Sequence, residues 1–126
     1  MSDLKPRGVP VMVDGVERHF LFTLNVIDEI QDHYNLALSE VIDKLTDKGE
    51  SLKVLRYLIA TLLNDEAARC DQNLEMYSEE QIGWIIDAET LDMFTLALLR
   101  AYGISLPEAD EYGGSVPNEM GGQQKE

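Results

Sequence analysis

The chain has 126 residues, 44% of them hydrophobic and 27% charged, the proportions of one globular domain. Its 24 acidic against 10 basic residues leave a formal net charge of −14, which argues against binding nucleic acid or an anionic membrane, since both need clustered Lys and Arg. No apolar run approaches the ~20 residues of a membrane span, no apolar signal-peptide core follows residues 1–7, and the single cysteine, Cys70, has no internal disulfide partner; the cytoplasm is the expected compartment.

Residues 1–8 are expected to be a flexible N-terminus ahead of one domain spanning 9–106. The first element is a predicted β-hairpin. Val9 to Val13 and Val16 to Phe22 flank Asp14-Gly15, a two-residue turn signal because Gly accepts positive φ. Pairing about that turn sets Val13 opposite Val16, Val11 opposite Arg18 and Val9 opposite Phe20. One face then carries Val9, Val11, Val13, Val16, Phe20 and Phe22, and the other Pro10, Met12, Glu17, His19 and Leu21. A lone hairpin is barely stable in water, so the apolar face must lie on helices.

Thr23 is placed to cap a first helix running to about residue 33, with Leu24, Val26, Ile27, Ile30 and Tyr34 at helical spacing and Asn35 as a left-handed stop. A short second helix is expected over 39–47, with Leu38, Val41, Ile42 and Leu45 on one side. Ser51 then caps a third, over 51–68. In it Leu52, Leu55, Leu58, Ile59, Leu62 and Leu63 form one stripe, and Lys53, Arg56, Tyr57, Ala60 and Asn64 lie opposite. Residues 69–77 read as a loop. Ser78-Glu79-Glu80-Gln81 is a capping-box pattern opening a helix that ends near Ile86. The last helix, 91–102, is stopped at Gly103 and is apolar nearly all round, the pattern of a central helix or one covered by another chain. Residues 107–126 hold four of the nine glycines, two of the four prolines and five acids against one lysine, the composition of a disordered acidic tail. The fold class is mainly α, about five helices with an N-terminal β-hairpin, and α+β in a strict sense.

The residues offer little for chemistry. His33 follows Glu29 by one turn and adjoins Asp32, an arrangement open in principle to an acid–base pair or a metal, but two residues do not fill a tetrahedral site, and an exposed histidine on an acidic face accounts for them. The stretch from Asp71 starts like a calcium loop, yet its sixth and twelfth positions are Met76 and Ile82 where Gly and Glu are needed. Cys70 lacks an activating histidine or a following helix N-terminus in sequence. Gly113-Gly114 and Gly121-Gly122 have no strand–helix context for holding phosphate. No catalytic, cofactor or metal site is expected. Apolar residues exceed what a small core needs. Beside Met12 and Leu21 of the hairpin, Tyr57, Trp84, Met93, Leu96 and Leu99 form the candidate surface for a partner or for self-association.

The order of these signals resembles a known family. The Val-Asp-Gly-Val hairpin runs into Phe22-Thr23-Leu24-Asn25-Val26, and an acidic helix ends in Tyr34-Asn35. Then follow Leu38-Ser39-Glu40-Val41, Ser51-Leu52-Lys53-Val54-Leu55-Arg56-Tyr57-Leu58, and Tyr77-Ser78-Glu79-Glu80-Gln81-Ile82. A Leu-rich last helix and an acidic tail complete the order. Over about residues 9–111 this resembles the tail assembly chaperones of long-tailed, siphovirus-like bacteriophages, prophages and gene transfer agents. Family members often have Gly where this chain has Asn35, a residue the same left-handed geometry accepts. The resemblance implies a non-enzymatic protein of the bacterial cytoplasm, absent from the mature virion. Such a protein binds the long tape-measure protein before the tail tube forms and self-associates into a homo-oligomer. In many cases it also has a frameshifted longer form that recruits the tail-tube subunit. The composition alone also fits an acidic inhibitor, such as a DNA mimic or toxin partner, or a structural head–tail component.

Overall fold

A computed structural model of the chain describes residues 8–70 and 73–105. Strands β1 (Val9–Val13) and β2 (Val16–Phe20) pair antiparallel in the register the turn dictates, Val13 with Val16, Val11 with Arg18 and Val9 with Phe20. Asp14 and Gly15 both adopt positive φ, 54° and 83°, the mirror-image turn whose twist matches that of the strands it joins. Val9, Val11, Val13, Phe20 and the following Phe22 are buried, whereas Val16, expected on the same face, is exposed beside the turn. Gly8 enters β1 at φ 95°, and a Cβ there would fall 2.3 Å from the Phe20 carbonyl oxygen. That approach fixes a residue grouped by sequence with the flexible N-terminus; residues 1–7 and the acidic tail lie outside the described residues.

The helices begin and end on local chemistry. In α1 (Leu24–Tyr34) the Thr23 hydroxyl accepts the Val26 N–H at 3.2 Å, and Asn35 at φ 56° ends the helix. Val26 and Ile30 are buried, but Leu24 points to solvent. Helix α2 (Leu38–Asp43) is shorter than the pattern predicts and tightens into a 3₁₀ turn, Lys44–Thr46. Helix α3 (Ser51–Cys70) includes Ser51 in its first turn instead of using it as a cap, and it continues two residues past the expected end. The capping box opening α4 (Glu79–Ile85) is reciprocal. The Ser78 hydroxyl accepts the Gln81 N–H at 3.1 Å, and the Gln81 side chain accepts the Ser78 N–H at 2.8 Å. Helix α5 (Leu91–Ser105) runs straight through Gly103. Gly without a left-handed φ is a weak helix former and no stop.

Of the two apolar helices, α3 and not α5 is central to the fold, which leaves for α5 the other expected pattern, a helix available to another chain. Residues 57–63 of α3 are all buried, because α3 packs against β2, α1, α4 and the 3₁₀ turn at once. Leu58, Ile59, Leu62 and Leu63 are essentially sealed from water, each contributing about 2 kcal/mol by burial. Leu52, in contrast, leaves the predicted stripe and is exposed at the start of the helix. The more uniformly apolar α5 packs chiefly on the hairpin, above all on β1. Its inward face is Phe94, Ala97, Leu98 and Ala101, and on its outer face Met93, Leu96 and Leu99 are exposed among the described residues. The chain is mainly helical with an N-terminal antiparallel hairpin. No helix among the described residues is long and apolar enough to cross a membrane.

Candidate functional site

Strand alternation turns Pro10 and Met12 away from the core, and α5 lies alongside, with Met93, Leu96 and Arg100 on one outward stripe. Between them runs an open groove of about 340 Å³, floored by Val9, Val11 and Ala97 and closed at the sides by Met12, Met93 and Leu96. These three are exposed at 55%, 44% and 60%, and on α5 the contrast is sharp, because the opposite side of the same helix hides Leu98 completely. Glu17 and Arg100 complete the lining, so the groove presents an apolar bed with one charge of each sign. Leu99 lies three residues beyond Leu96 and is also exposed. Such a lining offers van der Waals contact over its length and charged groups for register.

The other residues nominated from sequence go elsewhere. Trp84 projects from α4 at 74% exposure and does not line this groove. Tyr57, expected on the outward side of α3, is only 8% exposed. Its ring stacks on His33 at 4.0 Å and meets Tyr34 edge-on at 5.3 Å, so the end of α1 covers α3 at this position. The pairing explains His33 as an aromatic contact, 4.7 Å from Tyr34 as well. Burial, followed by the Glu79 and Tyr57 charges and then Glu50, pushes the Tyr34 phenol up to about 12. His19 has other neighbours, with Nδ1 3.1 Å from Glu66 and Nε2 3.2 Å from Glu17.

A second polar constellation escaped the sequence reading. Arg18 occupies the core-facing position opposite Val11 and is 1% exposed. Its guanidinium donates to the Glu66 carboxylate at 2.7 Å, to the Leu63 carbonyl at 2.7 Å and to the Glu75 carbonyl at 3.1 Å, and it lies over the Tyr77 ring. Glu66 also accepts the His19 backbone N–H at 3.2 Å. Burial pushes the Glu66 carboxyl up, but the bonds from Arg18 and His19 together outweigh it and hold the group below its ordinary range. The signal was in the register itself, since any hairpin that places Val11 inward places Arg18 inward. The segment 73–78 is tied down by the same device and by Asn64. The Asn64 side-chain oxygen accepts the Tyr77 N–H at 2.7 Å, and its amide donates to the Tyr77 carbonyl at 2.9 Å.

Among the described residues no group of three or more His, Cys, Asp or Glu side chains is arranged to hold a metal ion. The calcium-like stretch begins at residues outside those described, and Cys70 is a free, half-buried thiol beside Arg69. Comparison with protein-family models, with curated proteins and with solved structures gives no match.

Proposed function

We propose that the chain is a non-enzymatic tail assembly chaperone that binds a phage tape-measure protein and keeps it soluble until the tail tube forms around it. The observation that carries this reading is the groove between the hairpin and α5, with Met12, Met93 and Leu96 exposed along it. A tape-measure protein is long and largely helical, and an amphipathic helix laid into an apolar groove is a common recognition mode. Methionine suits the task, because its unbranched, polarisable side chain adapts to many apolar partners along a repetitive helix. The net charge of −14 keeps the loaded complex from associating further. The ordered resemblance across about residues 9–111 supplies the identity of the partner. With it come homo-oligomer formation, a frameshifted form that engages the tail-tube subunit, residence in the host cytoplasm and absence from the virion.

The test is co-expression with the long coiled-coil protein encoded nearby. The expected result is a partner that aggregates alone and co-purifies in soluble form with this chain, and that is lost when Leu96→Asp is introduced. A partner that is soluble alone and ignores this chain refutes the reading. Recovery of the chain from purified particles would instead make it a structural head–tail component.

A further inference from the structure

A second groove, about 580 Å³, lies on another side of the molecule, between α1, α3 and the segment leading into α4. Its apolar lining is Ala60, Ala68 and the exposed Met76 with the flanks of Tyr57 and Tyr77, and its polar lining is Thr61, Asn64 and Ser78 with the carboxylates of Glu29 from α1, Asp65 from α3 and Glu79 from α4. No lysine or arginine lines it among the described residues. Asp65 is already engaged by Arg69 at 3.0 Å and by the Thr23 hydroxyl at 3.2 Å. Glu29 and Glu79 make no hydrogen bond or ion pair among the described residues, and both stand in solvent. Their charge nonetheless reaches the groove floor. Burial pushes the Tyr57 phenol up, a Thr61 side-chain bond opposes, and Glu29 and Glu79 push it further, one from each wall. The rim therefore carries negative charge with no cation lining it among the described residues, which complements a cationic occupant.

We propose that this groove docks a lysine- or arginine-bearing amphipathic helix of a partner protein, with its cations between Glu29 and Glu79 and its apolar side on Ala60, Ala68 and Met76. The proposal rests on the reading that the chain works by holding a helical partner, and it adds the charge that partner must carry. A small inorganic cation or polyamine would satisfy the carboxylates but leave the apolar bed uncovered. A helix with basic residues three or four apart satisfies both. The first groove, with a charge of each sign, selects for neither.

The probe is a synthetic leucine–lysine amphipathic helix of about 18 residues, about 27 Å long, with a twin carrying glutamate for lysine. Each is titrated into the full chain bearing isotope-labelled methionine methyls. The expected result is binding of the lysine peptide with shifts at Met76 larger than at Met12 or Met93, and affinity falling steeply between about 10 and about 300 mM salt. The variant Glu29→Gln/Glu79→Gln should bind about tenfold more weakly, while Asp43→Asn/Glu89→Gln, which removes the same charge from exposed positions outside the groove, should change affinity less than about twofold. Equal weakening by both variants reduces the effect to net charge and overturns the proposal. So do shifts centred on Met12 and Met93, equal binding of the glutamate twin, or full competition by spermidine. In co-expression, a tape-measure partner retained at high salt by the Glu29→Gln/Glu79→Gln variant would refute the charge proposal and leave the chaperone reading standing. No retention by the native chain at any salt would refute the chaperone reading itself.

Discussion

Replacing Arg18 by methionine keeps most of the side chain's apolar stem and removes only the guanidinium. The Glu66 carboxylate then loses a 2.7 Å charge-assisted bond, and the Leu63 and Glu75 carbonyls lose a donor each. Breaking a buried ion pair from one side costs about 3–5 kcal/mol, because the surviving charge stays out of water. A domain this size is stable by about 5–10 kcal/mol in total. With a urea slope of about 1–1.5 kcal/mol per molar, the unfolding midpoint should fall by about 2–5 M at about pH 7. The double variant Arg18→Met/Glu66→Gln leaves the net charge at −14, keeps an acceptor for the His19 N–H, and should recover at least half of the loss. The pH dependence gives a second check. In the native protein Glu66 is held below its ordinary value of 4.5, so its contribution is present above 4.5 and lost as pH falls through the lowered value. In Arg18→Met, burial dominates and pushes the carboxyl above 4.5, so that variant loses stability as pH rises. The gap between the two proteins therefore closes on acidification. A midpoint for Arg18→Met within about 0.5 M of the native protein at neutral pH, or a deficit unchanged in acid, would refute this account.

Leu96→Asp, on the exposed stripe of α5, should change stability by less than about 0.5 kcal/mol while abolishing partner retention, whereas Leu98→Ala on the buried side of the same helix should cost about 3 kcal/mol; urea melts and co-purification separate the two. Asn64→Ala removes both bonds to Tyr77 and should cost about 1–3 kcal/mol, with amide hydrogen exchange quickened in residues 73–78 and unchanged in α5. Tyrosine absorbance titration should find one phenol near about 12, lowered by Glu79→Gln. Because that phenol is raised in the folded state, stability should fall as pH climbs from the ordinary 10.0 towards 12, where the unfolded chain has already released the proton.

Local rules that act within a few residues were legible in the sequence. The Asp14-Gly15 turn, the strand register, the Thr23 and Ser78 caps and the Asn35 stop each depend on neighbours along the chain, and all are present. What depended on long-range packing was misread. Tyr57 looked like a surface aromatic because its α3 neighbours Lys53 and Arg56 are polar, yet α1 returns to cover it. Leu52 looked like core because the periodicity included it, but it sits one turn before the helix enters the packed region. In the candidate surface, alternation along β1 and spacing along α5 pointed to Met12, Met93 and Leu96, and the fold brings these three to one groove. Trp84 fits no such pattern and stands apart. Gly103 shows the limit of residue-type rules, since glycine ends a helix only where the next turn needs a left-handed φ.

The bond from the His19 N–H to Glu66 has a further meaning for a two-stranded sheet, which by construction has two open edges. In a hairpin closed by a two-residue turn, residues 10, 12, 17 and 19 point their backbone groups outward. On β2 the outward N–H of His19 is taken by a carboxylate from α3, and on β1 the outward position 10 is a proline with no N–H to offer. Each edge thus lacks one of the donors that a foreign strand needs to extend the ladder. The hairpin is blunted against edge-to-edge growth into aggregates. A proline at one edge and a buried glutamate at the other let five-residue strands rich in valine stay a pair.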